Sequence, residues 1–405
     1  MKIAIVTGDD IVSNPRLVWE ARALAAAHHR VTVYGVLSPA TEEEEDEAGV
    51  VHVRMPLRGW RARGGGLRSP LRLAGWYDRF RPVVEAAVTR ERPDAIHALD
   101  LDVAGPAQDA AIALGVPFVF DVAGAAYVDR LAQTFGPRVR GAGAPAWAAA
   151  TDLLRRKGAA LEKKLRRRGL AALVTDTQSL GEDLVRRYGG PPATVVRNCP
   201  PFHAARRTDA LRRRIGAFPK ERLLLFLGPV TPGCGIDAAI RALRLLGDGY
   251  LLVVVGRTPR LAAFEDLAEK EGVLSQVRFV APAPADEMAE LIASGDVALV
   301  PTEPVDASHR LALPSSFFLA LAAGLPVVAS DTREVGALVR RTGAGVLYPA
   351  RSPQDPAALA EAVHVLAQDA SLLETCRENA IDACRLELNW ENESLALIDL
   401  YDRLA

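Results

Sequence analysis

The feature that most constrains this chain is an alternation, met in both halves, of short apolar runs with longer stretches of helical period. In the first half the apolar runs are Ile3 to Val6, Val31 to Val36, Ala95 to Ala98 and Phe118 to Asp121, with a helical stretch such as Pro15 to Ala27 between. A short run with few polar residues predicts a strand buried on both faces, and a helix before the next run supplies the crossover that parallel pairing needs. Gly8, Pro93-Asp94 and Gly115 lie at the run ends, with Pro117 just inside the following strand, as turn-formers should. The second half repeats the pattern with Leu223 to Leu227, Leu251 to Val255, Val277 to Val280, Val297 to Pro301 and Pro326 to Ser330. The expected class is α/β, with two open parallel sheets.

At 405 residues the chain is too long for one ordinary core, so each sheet is expected to carry its own domain. Residues 1–199 form the first. Residues 200–222, with Pro200-Pro201, basic residues and Pro219, read as a linker, and 223–389 as the second domain. After Asp355-Pro356 the chain is helical to its end, and a last helix over 390–405 is expected to pack back on the first domain.

A formal charge of -1 gives no global pull toward nucleic acid. Glu42 to Glu47 and Arg58 to Arg72 are opposite charge blocks that read as exposed loops. Between Thr151 and Arg168 a helix carries Leu153, Leu154, Leu161 and Leu165 on one side and Arg and Lys elsewhere. Such a helix either seats its leucines on the core or touches an anionic membrane, a peripheral contact at most. No stretch approaches the roughly 20 apolar residues that spanning a bilayer requires, and the first apolar run is too short for a signal peptide. Cys199, Cys234, Cys376 and Cys384 lack metal-ligand spacing and read as free thiols of a reducing cytoplasm.

Open parallel sheets bind ligands beyond the carboxyl ends of their strands, where loops and helix starts present free N–H groups. The candidate loops are Gly8 to Arg16 in the first domain, and Gly228 to Gly235, Gly256 to Thr258 and Leu313 to Ser316 in the second. His97 ends a strand and either lines a site or is a satisfied structural histidine. Asp100-Leu101-Asp102 has the Asp-x-Asp form of a metal site but follows a first-domain strand, away from the second-domain candidate loops, and no metal is expected.

The run Leu313-Pro314-Ser315-Ser316-Phe317-Phe318-Leu319-Ala320-Leu321-Ala322-Ala323-Gly324-Leu325-Pro326 closely resembles the donor-site segment of glycosyltransferase family four. Gly228 to Gly235, Arg197-Asn198-Cys199-Pro200, Pro93 to His97 and Ser13-Asn14-Pro15-Arg16 resemble further family segments in the same order, so the resemblance covers nearly the whole chain. It implies the GT-B arrangement: two Rossmann-like domains with parallel sheets facing across a cleft. It implies a retaining, metal-independent transfer without cofactor, from a nucleotide-diphosphate sugar held mainly by the second domain. The acceptor, held by the first, would be a small molecule, a glycan or a lipid-linked species. On this resemblance the substrate-binding candidates are Gly8, Asn14, Arg16, His97 and Asp121 in the first domain. In the second they are Gly228, Gly235, Gly256, Arg257, Arg310, Pro314, Ser315 and Ser316.

Where relatives direct Lys or Arg at the diphosphate, this chain has Cys234 and Ser316, and where they bind the donor ribose through Glu it has Leu319, with Leu311 at the partner position. The first-domain run Asp121-Val122-Ala123-Gly124 likewise holds Ala123 in place of a polar residue. A departing diphosphate gains negative charge, so the missing cations point to impaired or altered catalysis, or to a non-catalytic relative that serves a protein partner or binds a ligand. Arg16, Arg257 or Arg310 can supply the charge if they reach the site, and are otherwise ordinary solvated arginines.

Overall fold

The computed structural model describes every residue except 12–13, 37–41, 57–76, 123–143, 204–205, 259–260, 283–284 and 306. Arg58 to Arg72 and Ala123 therefore lie outside the described residues. The fold consists of two compact units, Met1–Arg197 together with Glu393–Ala405, and Asn198–Asn392.

The first unit is built on an eight-stranded sheet of order β3-β4-β2-β1-β5-β6-β7-β8. Its strands are β1 (Lys2–Thr7), β2 (Arg30–Val36), β3 (Glu42–Glu45), β4 (Val51–Met55), β5 (Ala95–Leu99), β6 (Phe118–Val122), β7 (Ala172–Thr175) and β8 (Thr194–Val195). All pairings are parallel except β3 with β4. Helices Pro15–Ala26, Arg81–Glu91, Leu101–Leu114 and Gln178–Tyr188 make the crossovers with helix Ala144–Arg168. Along that last helix Leu154 and Leu165 are buried and Leu161 is half-buried, whereas Leu153 is exposed, being turned one residue, about 100°, from Leu154.

The acidic run expected as a loop instead begins with an edge strand. Glu42 to Glu45 pairs antiparallel with Val51 to Arg54, and all four glutamates stay in solvent. Arg54 lies within 2.9 Å of Glu44 and 3.7 Å of Glu42, and Arg90 pairs with Glu43. Cross-strand opposite charges hold such a strand, and its acids blunt the open edge against further pairing.

The second unit carries a six-stranded, wholly parallel sheet of order β11-β10-β9-β12-β13-β14. Its strands are β9 (Arg222–Leu227), β10 (Tyr250–Val255), β11 (Val277–Val280), β12 (Val297–Val300), β13 (Val327–Ser330) and β14 (Gly345–Tyr348). Strand period divides its side chains between two cores. Leu223, Leu225, Leu251 and Val253 pack with Phe317, Phe318 and Leu321 in one core. Leu224, Phe226, Leu252 and Val254 pack with Ile240, Leu243 and Leu366 in the other. Burial on both faces is why these strands read as continuous apolar runs. Helix Ile236–Leu246 shows the complementary period, burying Ile236, Ala239, Ile240, Leu243 and Leu246.

Residues 200–222, read from sequence as a linker, fall inside the second unit. Ala210–Ile215 is helical and Leu211 is fully buried in the first of those cores, so the prolines punctuate a packed segment. The last helix, Trp390–Leu404, starts in the second unit, and from Glu393 onward it belongs to the first, where Leu397 and Tyr401 are fully buried. Among the described residues no helix is long and apolar enough to cross a membrane.

Candidate functional site

In the second unit β9 has β10 on one side and β12 on the other. This reversal of strand order opens a crevice at the carboxyl ends of the central strands, the usual ligand position of such sheets. The chain leaves β9 through Gly228, whose φ of 100° is one that side chains rarely adopt. Gly228 N–H donates to Val255 O at 3.0 Å, and Val230 N–H donates to Arg257 O at 3.0 Å. A Cβ on Gly256 would stand 1.9 Å from Gly228 O, so only glycine allows the loops after β9 and β10 to meet.

On the other side, Gly235 has φ 76° and its Cβ would lie 1.7 Å from Pro301 O. Glu303 N–H donates to Gly233 O at 2.9 Å, and His309 Nε2 lies 3.2 Å from Pro232 O. Gly235 then opens helix Ile236–Leu246 without a side-chain cap. The structure thus brings together Gly228, Gly235 and Gly256. It also places Arg257 on one flanking loop and Arg310 beside His309 on the short helix Ala307–Leu311, both exposed. Pro314 is the N-cap of helix Ser315–Ala322 and provides no side-chain cap; Ser315 is exposed and Ser316 half-buried.

Neither Cys234 nor Leu319 supplies a positive charge. Burial pushes the Cys234 thiol up from its ordinary range, against weaker pulls from the backbone N–H groups of Ile236 and Thr231, so it stays neutral near pH 7. Leu319 is half-buried against the core, and a leucine accepts no hydrogen bond.

The first-unit candidates meet in a different setting. Gly8 ends β1 where a Cβ would stand 2.9 Å from the Phe80 ring, and Asn14 caps helix Pro15–Ala26 by accepting from Leu17 N–H at 3.4 Å. Arg16, His97 and Asp121 come together at no more than 2% exposure, closed in among their own partners. Arg16 donates from Nε to Glu20 at 2.6 Å, from Nη1 to Val196 O at 2.7 Å and from Nη2 to both Asp121 oxygens at 3.2 Å. His97 Nε2 lies 3.4 Å from Asp121, and its Nδ1 lies 2.9 Å from the Tyr401 hydroxyl on the last helix. Arg16 is therefore spent on protein partners and does not supply the diphosphate charge for which the sequence offered it.

Electrostatics within this cluster are opposed. Burial would raise the Asp121 carboxyl, but Arg16 and His97 outweigh it and hold it at about 2. Burial and then the Asp121 charge push Glu20 up to about 7, with Arg16 pulling the other way. Among the described residues Glu20, His97 and Asp121 form the one group whose ligand atoms lie within metal-sharing distance. The Arg16 guanidinium bridges both carboxylates, which is the work a cation would do, so the donor set does not fit a metal. Glu20 is the member sequence reading missed; its position one turn after Arg16 was the available signal.

Two Rossmann-like units, the second with a glycine-bounded crevice, define an α/β protein of the GT-B glycosyltransferase class. The sequence matches "Glycosyl transferase 4-like domain" over residues 13–200 and "Glycosyl transferases group 1" over 207–383. It is 31% identical over 245 residues to the D-inositol 3-phosphate glycosyltransferase of Xylanimonas cellulosilytica, covering 57% of this chain and 56% of the relative. It is 29% identical over 316 residues to the glycogen synthase of Mycobacterium tuberculosis, covering 76% of this chain and 69% of that one. The alignment with the first relative spans only about half that protein's length. In fold the chain matches sucrose-phosphate synthase from Thermosynechococcus elongatus with a TM-score of 0.77 at 18% identity, covering 100% of this chain and 99% of the other. It matches Anabaena HepE in complex with UDP at 0.70 and 14%, covering 100% of both. The chain belongs to the family-four-like GT-B glycosyltransferases.

Proposed function

We propose that this protein is a nucleotide-sugar-dependent glycosyltransferase whose transfer is impaired, because its donor crevice lacks the charges that assist diphosphate departure. The observation that carries the reading is Cys234, a neutral thiol at the loop position where relatives place a cation. Preorganised positive charge at a leaving group is commonly worth about 3 kcal/mol per donor removed, a rate factor of about a hundred or more. Ser316 and Leu319 compound the loss. Backbone N–H groups at Gly235 and beyond, with Arg257 and Arg310 nearby, are the remaining means of holding a nucleotide diphosphate. The relatives' names speak of an inositol phosphate and of glycogen, so the acceptor class is a small molecule or a glycan.

A second reading, a non-catalytic relative acting through a protein partner or a bound ligand, is favoured by the sealed Arg16–Asp121–His97 cluster. Groups buried to 2% or less are not offered to an acceptor. Product formation across UDP-, GDP- and ADP-sugars, paired with calorimetry of the free diphosphates, separates the two. The first reading expects slow turnover and weak, saturable binding that drops on Arg257→Ala or Arg310→Ala. Absence of both turnover and nucleotide binding would leave the second.

A further inference from the structure

Asp296, which immediately precedes β12, is 1% exposed and sits at the amino end of the second sheet, the opposite end of β9 from Gly228. Its carboxylate accepts from Leu223 N–H at 2.8 Å, from Arg212 at 2.5 Å and from Arg207 at 2.8 Å, while Arg222 stands 4.0 Å away. Arg377, from helix Ala370–Leu386, reaches the Asp296 backbone oxygen at 3.5 Å, and its Nε is buried without a hydrogen-bond partner.

Four guanidinium groups thus gather at one acidic residue, whose Oδ2 accepts from Arg212 and Leu223 N–H and whose Oδ1 accepts from Arg207. Arg212 is tied down further by the Glu221 carbonyl at 2.8 Å. Arg222 and Arg377 make no hydrogen bond to the Asp296 carboxylate, and Arg207 holds it through a single nitrogen. Burial, and next the like charge of Arg207, make Arg377 harder to keep protonated; Glu374 and Asp296 offset this in part, and Arg222 adds to it. The surrounding stretch intensifies the field, since residues 206–222 hold seven cations against two acids. Converging arginines repel one another and cost stability unless an anion sits among them, and an oxyanion is the species whose geometry matches several guanidinium forks at once.

We propose that Arg207, Arg222 and Arg377 form an oxyanion site that takes a phosphate group, separate from the donor crevice at the other end of the strands. Arg207 and Arg222 keep side-chain exposures of 58% and 41%, so a soluble ligand can enter from water. The shared chemistry is a phosphate dianion, free or as the headgroup of a phosphomonoester lipid.

The test titrates inorganic phosphate against the full chain at constant ionic strength, set with chloride, and reads the melting temperature and calorimetric heat. Saturable binding with a rising melting temperature is expected. Arg377→Ala and, separately, Arg222→Ala should each weaken it by about tenfold or more, while Arg213→Ala, an exposed neighbour in the same basic stretch, should not. Arg222 is partly exposed, so its replacement stays informative if Arg377→Ala fails to fold. Flotation with phosphatidylcholine vesicles, with and without phosphatidic acid, assigns the source: Arg222-dependent flotation points to a headgroup, and binding of phosphate alone points to the free ion. The proposal is overturned by no phosphate response beyond chloride, or by an equal loss in Arg213→Ala. A response abolished by Arg257→Ala and kept in Arg377→Ala would move the anion to the donor crevice and equally overturn it.

Discussion

Arg16, Glu20 and Asp121 place two carboxylates on one guanidinium in a volume closed to water, and a proton is the cheapest way to settle the excess charge. Glu20 takes that proton: its carboxyl is raised from 4.5 to about 7, while Asp121 is held at about 2. Between these two Glu20 values the folded chain binds a proton that the unfolded chain has released, so stability falls as pH rises through the window and levels off above about 7. Asp121 acts in the opposite sense and lower down, with stability lost as pH falls from 3.8 toward about 2. Glu20→Gln should therefore flatten the upper slope in urea melts taken across that range, and an unchanged slope would remove Glu20 from the account. Little of this cluster could be read in the linear chain. The Arg16–Glu20 pair is a visible i, i+4 contact, but Asp121 and Val196 lie 105 and 180 residues from Arg16. An arginine looks the same in sequence whether it faces water or a buried carboxylate. His97 had the same ambiguity, and its burial against Asp121 and Tyr401 depends on residues 24 and 304 positions away.

At the scale of elements, the glycine loop after β9 is shaped by backbone meeting backbone, so its residues can be tested by volume alone. Gly235→Ala places a Cβ on the Pro301 oxygen at a φ of 76°, whereas Gly216→Ala meets open space at φ 69°. Both pay about 1 kcal/mol or somewhat more for the backbone conformation, and only the first also forces the loops after β9 and β12 apart. Gly235→Ala is thus expected to lose at least about 2 kcal/mol more than Gly216→Ala in urea unfolding. Equal losses would mean that the two loops part without cost and do not act as a fixed crevice. Most of the parallel strands were legible because burial on both faces leaves no polar alternation to misread, whereas β4 and β14, only partly buried, were not. β3 was not, since four consecutive glutamates carry no strand signal of their own and are held by arginines of β4 and helix Arg81–Glu91. The prolines of 200–222 misled for a related reason: they mark bends, and whether a bent segment packs depends on its apolar side chains, here Leu211 with Phe202, Ile215 and Ala217.

At the scale of the whole molecule, the proposed reading is of a frame kept while its chemistry has changed. Both halves keep their family matches, over 13–200 and 207–383. The glycines that set the loop remain, and the residues expected to hold charge within it do not. If the frame is still competent, returning charge alone should restore recognition. Cys234→Arg with Ser316→Lys adds one cation at each of two helix starts without a side-chain cap and should give calorimetric binding of a nucleoside diphosphate at least about tenfold tighter than in the parent. Its salt dependence should steepen as well, because the gain is electrostatic. Leu319→Glu belongs in a third step, since Leu319 packs half-buried on the core and a carboxylate there carries a desolvation cost that can mask the gain. Tighter binding in the double variant would show that the crevice has lost its charges and kept its shape. No gain from the double variant, with its fold intact by melting temperature, would place the divergence in the shape itself and favour a protein that uses the glycosyltransferase frame without its reaction.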